Sequence, residues 1–251
     1  MERWRGRTAL VTGASTGIGF AIAEALARGG MRVIACARNI GGIEELKSAL
    51  NGCSNNVTAF PCDLTQEDSI LNMFKEIKER FGYVDILVNN AGTLNFASIS
   101  EGETASWRQM FELNVLGLTI CSREALQLMY ANGVDDGHII NINSVAGHYI
   151  SGYPATNFYT ATKHMVTALT KTLNTELRQR KTKIRVTSIS PGLTDTPLKH
   201  RMGAANPAFK VDKANVLQAK DVADAVMYVI ACPPHVNVRE LTIAHIGFSG
   251  C

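Results

Sequence analysis

The sequence lacks most features that would assign it to a membrane, a metal or a nucleic acid. No apolar run reaches the about 18 residues that a helical span needs. The net charge is only +3 and no dense Lys/Arg block is present, so nucleic acid is not an expected partner. The strongest basic cluster, Arg178-Gln179-Arg180-Lys181, suits the C-terminus of a helix, where cations meet the negative end of the dipole. The six histidines stand apart, without a ligand spacing such as H-x-x-x-H, and no metal is expected. The six cysteines (Cys36, Cys53, Cys62, Cys121, Cys232, Cys251) include no C-x-x-C pair, and no signal peptide is present; they are expected to be reduced thiols in a cytoplasmic protein. Cys251 falls too late for a prenylation box, and Asn56-Val57-Thr58 is a chance match to a glycosylation acceptor in an unsecreted chain. No repeat, linker or low-complexity stretch divides the chain, so residues 1–251 are expected to form one domain.

What is present is a regular alternation. Short apolar segments at 7–12, 32–36, 57–60, 85–88, 139–142, 184–189 and 238–243 predict seven strands. Between them lie segments of helical period: 17–28, 42–50, about 65–80, a long one at 104–129, a second long one at 155–178, and 221–230. Gly29-Gly30 and Gly82 terminate two of these helices, and Thr65 with Asp68 predicts a capping box, with Asp in place of the usual Glu or Gln. Strands alternating with helices form βαβ units, which demand a mostly parallel sheet covered on both faces: a doubly wound α/β fold of Rossmann type. The irregular stretch 191–215, with a substrate lid expected over about 193–215, is long enough to be functional; a variable surface loop is the alternative.

The stretch "VTGASTGIGFAIA" joins the first strand to the first helix. Its glycines, Gly13, Gly17 and Gly19, are spaced G-x-x-x-G-x-G rather than G-x-G-x-x-G. The physics is the same: glycines admit a phosphate to the backbone N–H groups of Ser15, Thr16 and Ile18, and the helix N-terminus supplies a positive dipole end. Enzymes of this kind that prefer NAD place an acid after the second strand. Here Ala37 holds that position and Arg38-Asn39 follow, which suits the 2′-phosphate of NADP(H); an exposed loop arginine is the alternative. Asp63, next to Leu64 after the third strand, either accepts from the adenine amine or is a turn residue.

Tyr159 and Lys163 are four residues apart in "FYTATKH", hence on one face of a helix. An ammonium beside a phenol favours phenolate, which predicts a lowered pKa for Tyr159 and a role as acid/base in a reaction at a carbonyl oxygen. Ser144, after the fifth strand, can hydrogen-bond that oxygen, or can be a turn residue. Asn114 is predicted in the middle of a long helix, where its propensity is unfavourable.

"TGASTGIG", "NNAG" (Asn89, Asn90, Ala91, Gly92), Asn114, Ser144, Tyr159, Lys163 and Pro191-Gly192 occur together and in order. The set resembles the short-chain dehydrogenase/reductases over essentially the whole chain. "MERW", "IACAR", "DDGHIININS", "FYTATK" and "VTALT" are similar to the animal branch that includes insect NADP-dependent farnesol dehydrogenases and a vertebrate enzyme acting on keto- and hydroxysteroids. The resemblance implies catalysis by Asn114, Ser144, Tyr159 and Lys163, with Asn114 anchoring a water and Lys163 also binding the ribose hydroxyls. It implies that Asn90, Ala91 and Gly92 pass the adenosine ribose, that the segment from Pro191 and Gly192 passes the nicotinamide, and that the Thr194 backbone and the Thr196 side chain hold the carboxamide. It also implies a homodimer or homotetramer through the two long helices. The sequence departs from the family pattern in the interval from Ser144 to Tyr159, which is two residues longer than usual.

Substrate contacts are expected from Ser144, Val145, Tyr149, Ile150, Tyr153, Leu198 and Met202, with Leu94 and Ala146 nearby. The set is mostly apolar, without convergent charge. It suits a lipophilic alcohol, aldehyde or ketone such as a farnesol-like isoprenoid, a steroid or a retinoid-like molecule. A catalytically silent NADPH-sensing protein of the same fold is the rival; the intact Tyr159, Lys163, Ser144 and Asn114 set speaks against it.

Overall fold

The computed structural model describes residues 1–150, 156–198 and 216–247. In chain order the elements are β1 (Thr8–Thr12), α1 (Gly17–Arg28), β2 (Arg32–Ala37), α2 (Gly41–Ala49), β3 (Val57–Pro61), α3 (Glu67–Phe81), β4 (Ile86–Asn89), α4 (Thr104–Phe111), α5 (Leu118–Ala131), β5 (His138–Ile142), α6 (Asn157–Gln179), β6 (Arg185–Pro191), the two-residue strands β7 (Thr194–Asp195) and β8 (Leu217–Gln218), α7 (Ala219–Ala231) and β9 (Glu240–Ile243). Seven strands form one sheet in the order β3-β2-β1-β4-β5-β6-β9, every pair parallel.

Both faces of the sheet are covered because its strands are apolar on both. Alternate residues feed alternate layers: Ala9, Val11, Val33, Ala35, Ile86, Val88 and Ile140 pack towards α1, α2 and α7, whereas Leu10, Ile34, Cys36, Leu87, Ile139 and Val186 pack towards α3, α5 and α6. The chain leaves β1 towards β2 on one side and reaches β4 on the other, so the strand order reverses between β1 and β4. Ligands of open α/β sheets bind at such a point, beyond the carboxyl ends of the strands.

Two local expectations are corrected. The segment 104–129 is not one helix: Glu112–Gly117, which contains Asn114, is a π-helical turn between α4 and α5. Thr65 and Asp68 do not form a capping box. Gln66 is the N-cap of α3 and makes no side-chain cap, because Thr65 gives both its N–H (3.0 Å) and its hydroxyl (2.8 Å) to Asp63 Oδ1. Among the described residues a capping box is formed at α7, between Gln218 and Asp221. The basic cluster 178–181 does cap α6, as expected.

Candidate active site

The glycine loop is a cradle that a side chain would fill. Gly13 has φ +66°, and a Cβ there would stand 2.9 Å from the Cα of Ala91. At Gly19 the Cβ would meet the carbonyl oxygen of Gly13 at 2.3 Å. Asn90 locks this approach: its Nδ2 donates to the carbonyls of Thr12 (2.9 Å) and Gly13 (3.2 Å), while Thr12 Oγ1 accepts from the N–H of Asn90 (2.9 Å) and of Ala91 (3.1 Å). The turn after β1 and the turn after β4 are thereby one unit, at the reversal point of the sheet.

A cleft of about 350 Å³ opens over this unit. Gly13, Ser15, Thr16, Gly17 and Ile18 line it from the first turn, and Arg38 and Asn39 from the end of β2. Asp63, Leu64, Asn90, Ala91 and Gly92 come from the ends of β3 and β4, and Tyr159, Lys163, Thr196 and Leu198 from the far side. The donor set, with backbone N–H groups at a helix N-terminus and an arginine at the β2 end, fits a phosphorylated dinucleotide. Asp63 forms the turn considered from sequence and also lines the cleft. Asn39 starts α2 by accepting from the Gly41 N–H at 2.9 Å.

At the other end of the cleft, Ser144 and Tyr159 are hydrogen-bonded through their side chains, and the Lys163 ammonium lies 5.8 Å from the Tyr159 ring centroid. Lys163 is buried and donates to the Ile142 carbonyl at 3.0 Å, which fixes it at the end of β5. The lysine was expected to depress the phenol's pKa; in the free protein the opposite holds. Burial pushes Tyr159 up to about 12, with the Ser144 hydrogen bond only partly opposing it, and burial pushes Lys163 down to about 8. Desolvation disfavours each charged form, and at this distance it outweighs the attraction between ammonium and phenolate.

Asn114 is buried and fully engaged. Its Oδ1 accepts from the Thr93 N–H (2.8 Å), and its Nδ2 donates to the Thr93 carbonyl (2.9 Å) and to Thr162 Oγ1 (3.2 Å). It therefore staples the chain after β4 to α6, one residue from Lys163. Gly19, Pro191, Gly192 and Thr194 do not line the cleft. Gly19 packs behind the first turn, and Pro191 ends β6. The Gly192 N–H is given to Ile243 on β9 at 2.7 Å. Of the substrate residues expected, Val145 is buried, Ile150 is 77% exposed, and Tyr153, Met202 and most of the expected lid lie outside the described residues. Gln109, Leu113 and Asn143 line the cleft without having been singled out. Leu113 lies within the π turn, where the chain leaves the register that a regular 3.6 period predicts.

The fold and site define a nicotinamide-type α/β oxidoreductase frame, and the family comparison agrees: residues 7–207 match the short chain dehydrogenase family, and the chain belongs to it. Among its relatives, the human dehydrogenase/reductase SDR family member 11 is 46% identical over 246 residues, covering 96% of this chain and 95% of that protein. The farnesol dehydrogenase of Aedes aegypti is 42% identical over 250 residues, covering 98% and 99%. In structure, an alcohol dehydrogenase of Thermococcus sibiricus complexed with 5-hydroxy-NADP superposes with a TM-score of 0.83 at 29% identity, covering 96% and 97%.

Proposed function

We propose that this oxidoreductase uses NADP(H) to interconvert a lipophilic alcohol and its aldehyde or ketone, of farnesol-like isoprenoid or steroid type. The observation that carries the reading is the Ser144–Tyr159 hydrogen bond, with Lys163 one helical turn away, at the end of a glycine-walled cleft. The names of the relatives support the substrate class, and the bound coenzyme of the structural relative supports the coenzyme. When bound, the coenzyme supplies or accepts the hydride. The chain does the rest. Gly13, Ser15, Thr16, Gly17 and Ile18 hold phosphates, and Arg38 holds the 2′-phosphate. Asn90, Ala91 and Gly92 pass the ribose, and Thr196 the carboxamide. Ser144 orients the carbonyl oxygen. Tyr159, neutral at pH 7, gives that oxygen its proton, and Lys163 restores it while Asn114 fixes the backbone beside it.

Tyr159→Phe is expected to lower kcat by about 10²- to 10⁴-fold with coenzyme affinity unchanged, read by steady-state oxidation of NADPH and by coenzyme titration. A variant that kept full turnover would remove the proposed acid. Arg38→Ala is expected to weaken NADPH by about 10- to 100-fold and NADH hardly at all, measured as KM with each coenzyme. Wild-type protein that bound NADPH yet reduced no member of a lipid carbonyl panel would be a sensor.

We further propose a single domain that acts in the cytoplasm as a homodimer or homotetramer through α5 and α6. Leu116, Thr119 and Arg123 follow one stripe, and Met165, Leu169 and Leu173 another. Thr119, Arg123, Leu169 and Leu173 line the groove between these helices, and Leu116 and Met165 are 43% and 40% exposed. Met165→Glu is expected to shift the sedimenting species towards monomer; an unchanged sedimentation coefficient would move the interface elsewhere.

A further inference from the structure

We propose that His148 is a positioning residue for the pocket wall that follows Ser144, clamped in place by Ser190 and Glu240. The inference rests on the oxidoreductase reading above. His148 closes the short 3₁₀ turn Val145–Gly147, four residues past Ser144. Its Nε2 lies 2.8 Å from Ser190 Oγ and 3.2 Å from Glu240 Oε1, and Ser190 Oγ is 2.6 Å from the same carboxylate oxygen. The three side chains come from three separate segments: the turn after β5, the end of β6 and the start of β9.

Proton accounting fixes the arrangement. Ser190 is fully buried and has one hydroxyl proton. A contact of 2.6 Å to a carboxylate is the length of a charge-assisted O–H···O⁻ bond, so that proton belongs to Glu240. The serine oxygen then faces His148 as an acceptor, and His148 Nε2 must carry a hydrogen. Ser188 Oγ, 3.4 Å from Ser190 Oγ, adds at most a weak second donor. This is not a nucleophile–base pair: the carboxylate takes the proton of the serine rather than orienting the imidazole through Nδ1.

The clamp lies where the site needs one. A 3₁₀ turn of three residues has few internal bonds, here from the N–H of Gly147 to Ser144 and from those of His148 and Tyr149 to Val145. On one side it is held by Thr167 of α6, whose Oγ1 donates to the Gly147 carbonyl at 2.9 Å. On the other it is held by His148. Ser190 immediately precedes Pro191-Gly192, so one imidazole ties the Ser144 turn to the strand that leads towards Thr194 and Thr196. The wall beside the reacting oxygen and the loop on the nicotinamide side are thereby kept in fixed relation.

The test compares wild type, His148→Ala and His148→Gln at saturating NADPH with a lipophilic ketone, together with hydrogen exchange of the 147–149 amides. His148→Ala is expected to raise the ketone KM by about tenfold or more, with NADPH affinity within about twofold and faster exchange of those amides. In His148→Gln the side-chain amide N–H reaches the Nε2 position, and KM is expected to return to within about threefold of wild type. An unchanged ketone KM in His148→Ala, unchanged exchange, or a glutamine variant no better than alanine would each overturn the clamp. Should His148→Ala fail to fold, Glu240→Ala against Glu240→Gln makes the same comparison, since only the glutamine keeps an acceptor for Ser190. Wild-type protein inactive on every carbonyl would overturn the oxidoreductase reading instead, and the substrate role of His148 with it.

Discussion

Lys163 is the residue at which stability and chemistry conflict most directly. Its ordinary pKa of 10.5 falls to about 8 on burial. Between those values the unfolded chain holds a proton that the native protein has released, so native stability falls as pH drops from 10.5 to 8, and the whole penalty is present at pH 7. Lys163→Met is therefore expected to raise the urea unfolding free energy of the coenzyme-free protein at pH 7 by roughly 1–3 kcal/mol, less whatever the lost bond to the Ile142 carbonyl contributes. The gain should vanish above about pH 10.5. A variant no more stable at pH 7 would mean that the ammonium is not desolvated. Residue types in order were enough to single out Tyr159, Lys163 and Ser144. The sign of the phenol's shift was not legible, because desolvation depends on what packs around a group and spacing says nothing of that.

At the scale of elements, the π turn Glu112–Gly117 is the feature that a periodicity argument passes over. Apolar residues continue from Trp107 to Met129 at helical spacing, so 104–129 reads as one helix. One wider turn in that run carries the Asn114 side chain to Thr93 and Thr162. Such turns occur mostly as single insertions within α-helices and frequently at functional sites. Asn114→Ala would leave the Thr93 N–H and carbonyl without their partner. It is expected to destabilise the fold by about 1–3 kcal/mol in urea and to lower kcat more than it raises coenzyme KM. A variant with full stability would show that the staple is dispensable. Glycine placement, in contrast, was readable: Gly13 and Gly19 meet neighbouring backbone so closely that no side chain fits, a demand that any G-x-x-x-G-x-G turn between a strand and a helix announces.

Over the whole molecule, the sheet buries a histidine that no local pattern explains. His138 sits on β5 with its Nε2 2.7 Å from Thr187 Oγ1; Thr187 spends its hydroxyl proton on the Val238 carbonyl at 2.6 Å, so His138 carries a hydrogen on Nε2. Burial, with the Arg185 charge adding to it, holds the imidazole well below its ordinary 6.5, and its buried Nδ1 has no partner among the described residues. The unfolded chain binds a proton that the native state refuses, so stability is present above about pH 6.5 and is lost as pH falls, by up to about 1.4 kcal/mol per unit. The urea midpoint is expected to drop between pH 7.5 and 5, and to drop less in His138→Gln. Equal slopes would show that His138 protonates freely in the native protein.

The sequence by itself determined the order of strands and helices, the parallel sheet, the glycine cradle and the residue types proposed for catalysis, because each follows from short-range periodicity, turn chemistry or spacing within one element. Tertiary structure alone decided which way burial moves the Tyr159 and Lys163 protons. It also decided that Trp4 closes the far end of the fold, its indole N–H donating to the Ile230 carbonyl at 2.8 Å between the guanidinium groups of Arg3 and Arg7. Only in the tertiary structure do His148, Ser190 and Glu240 meet. Those contacts join residues dozens to hundreds of positions apart, and only the closing of β6 against β5 and β9, and of α7 against α1, brings them within reach.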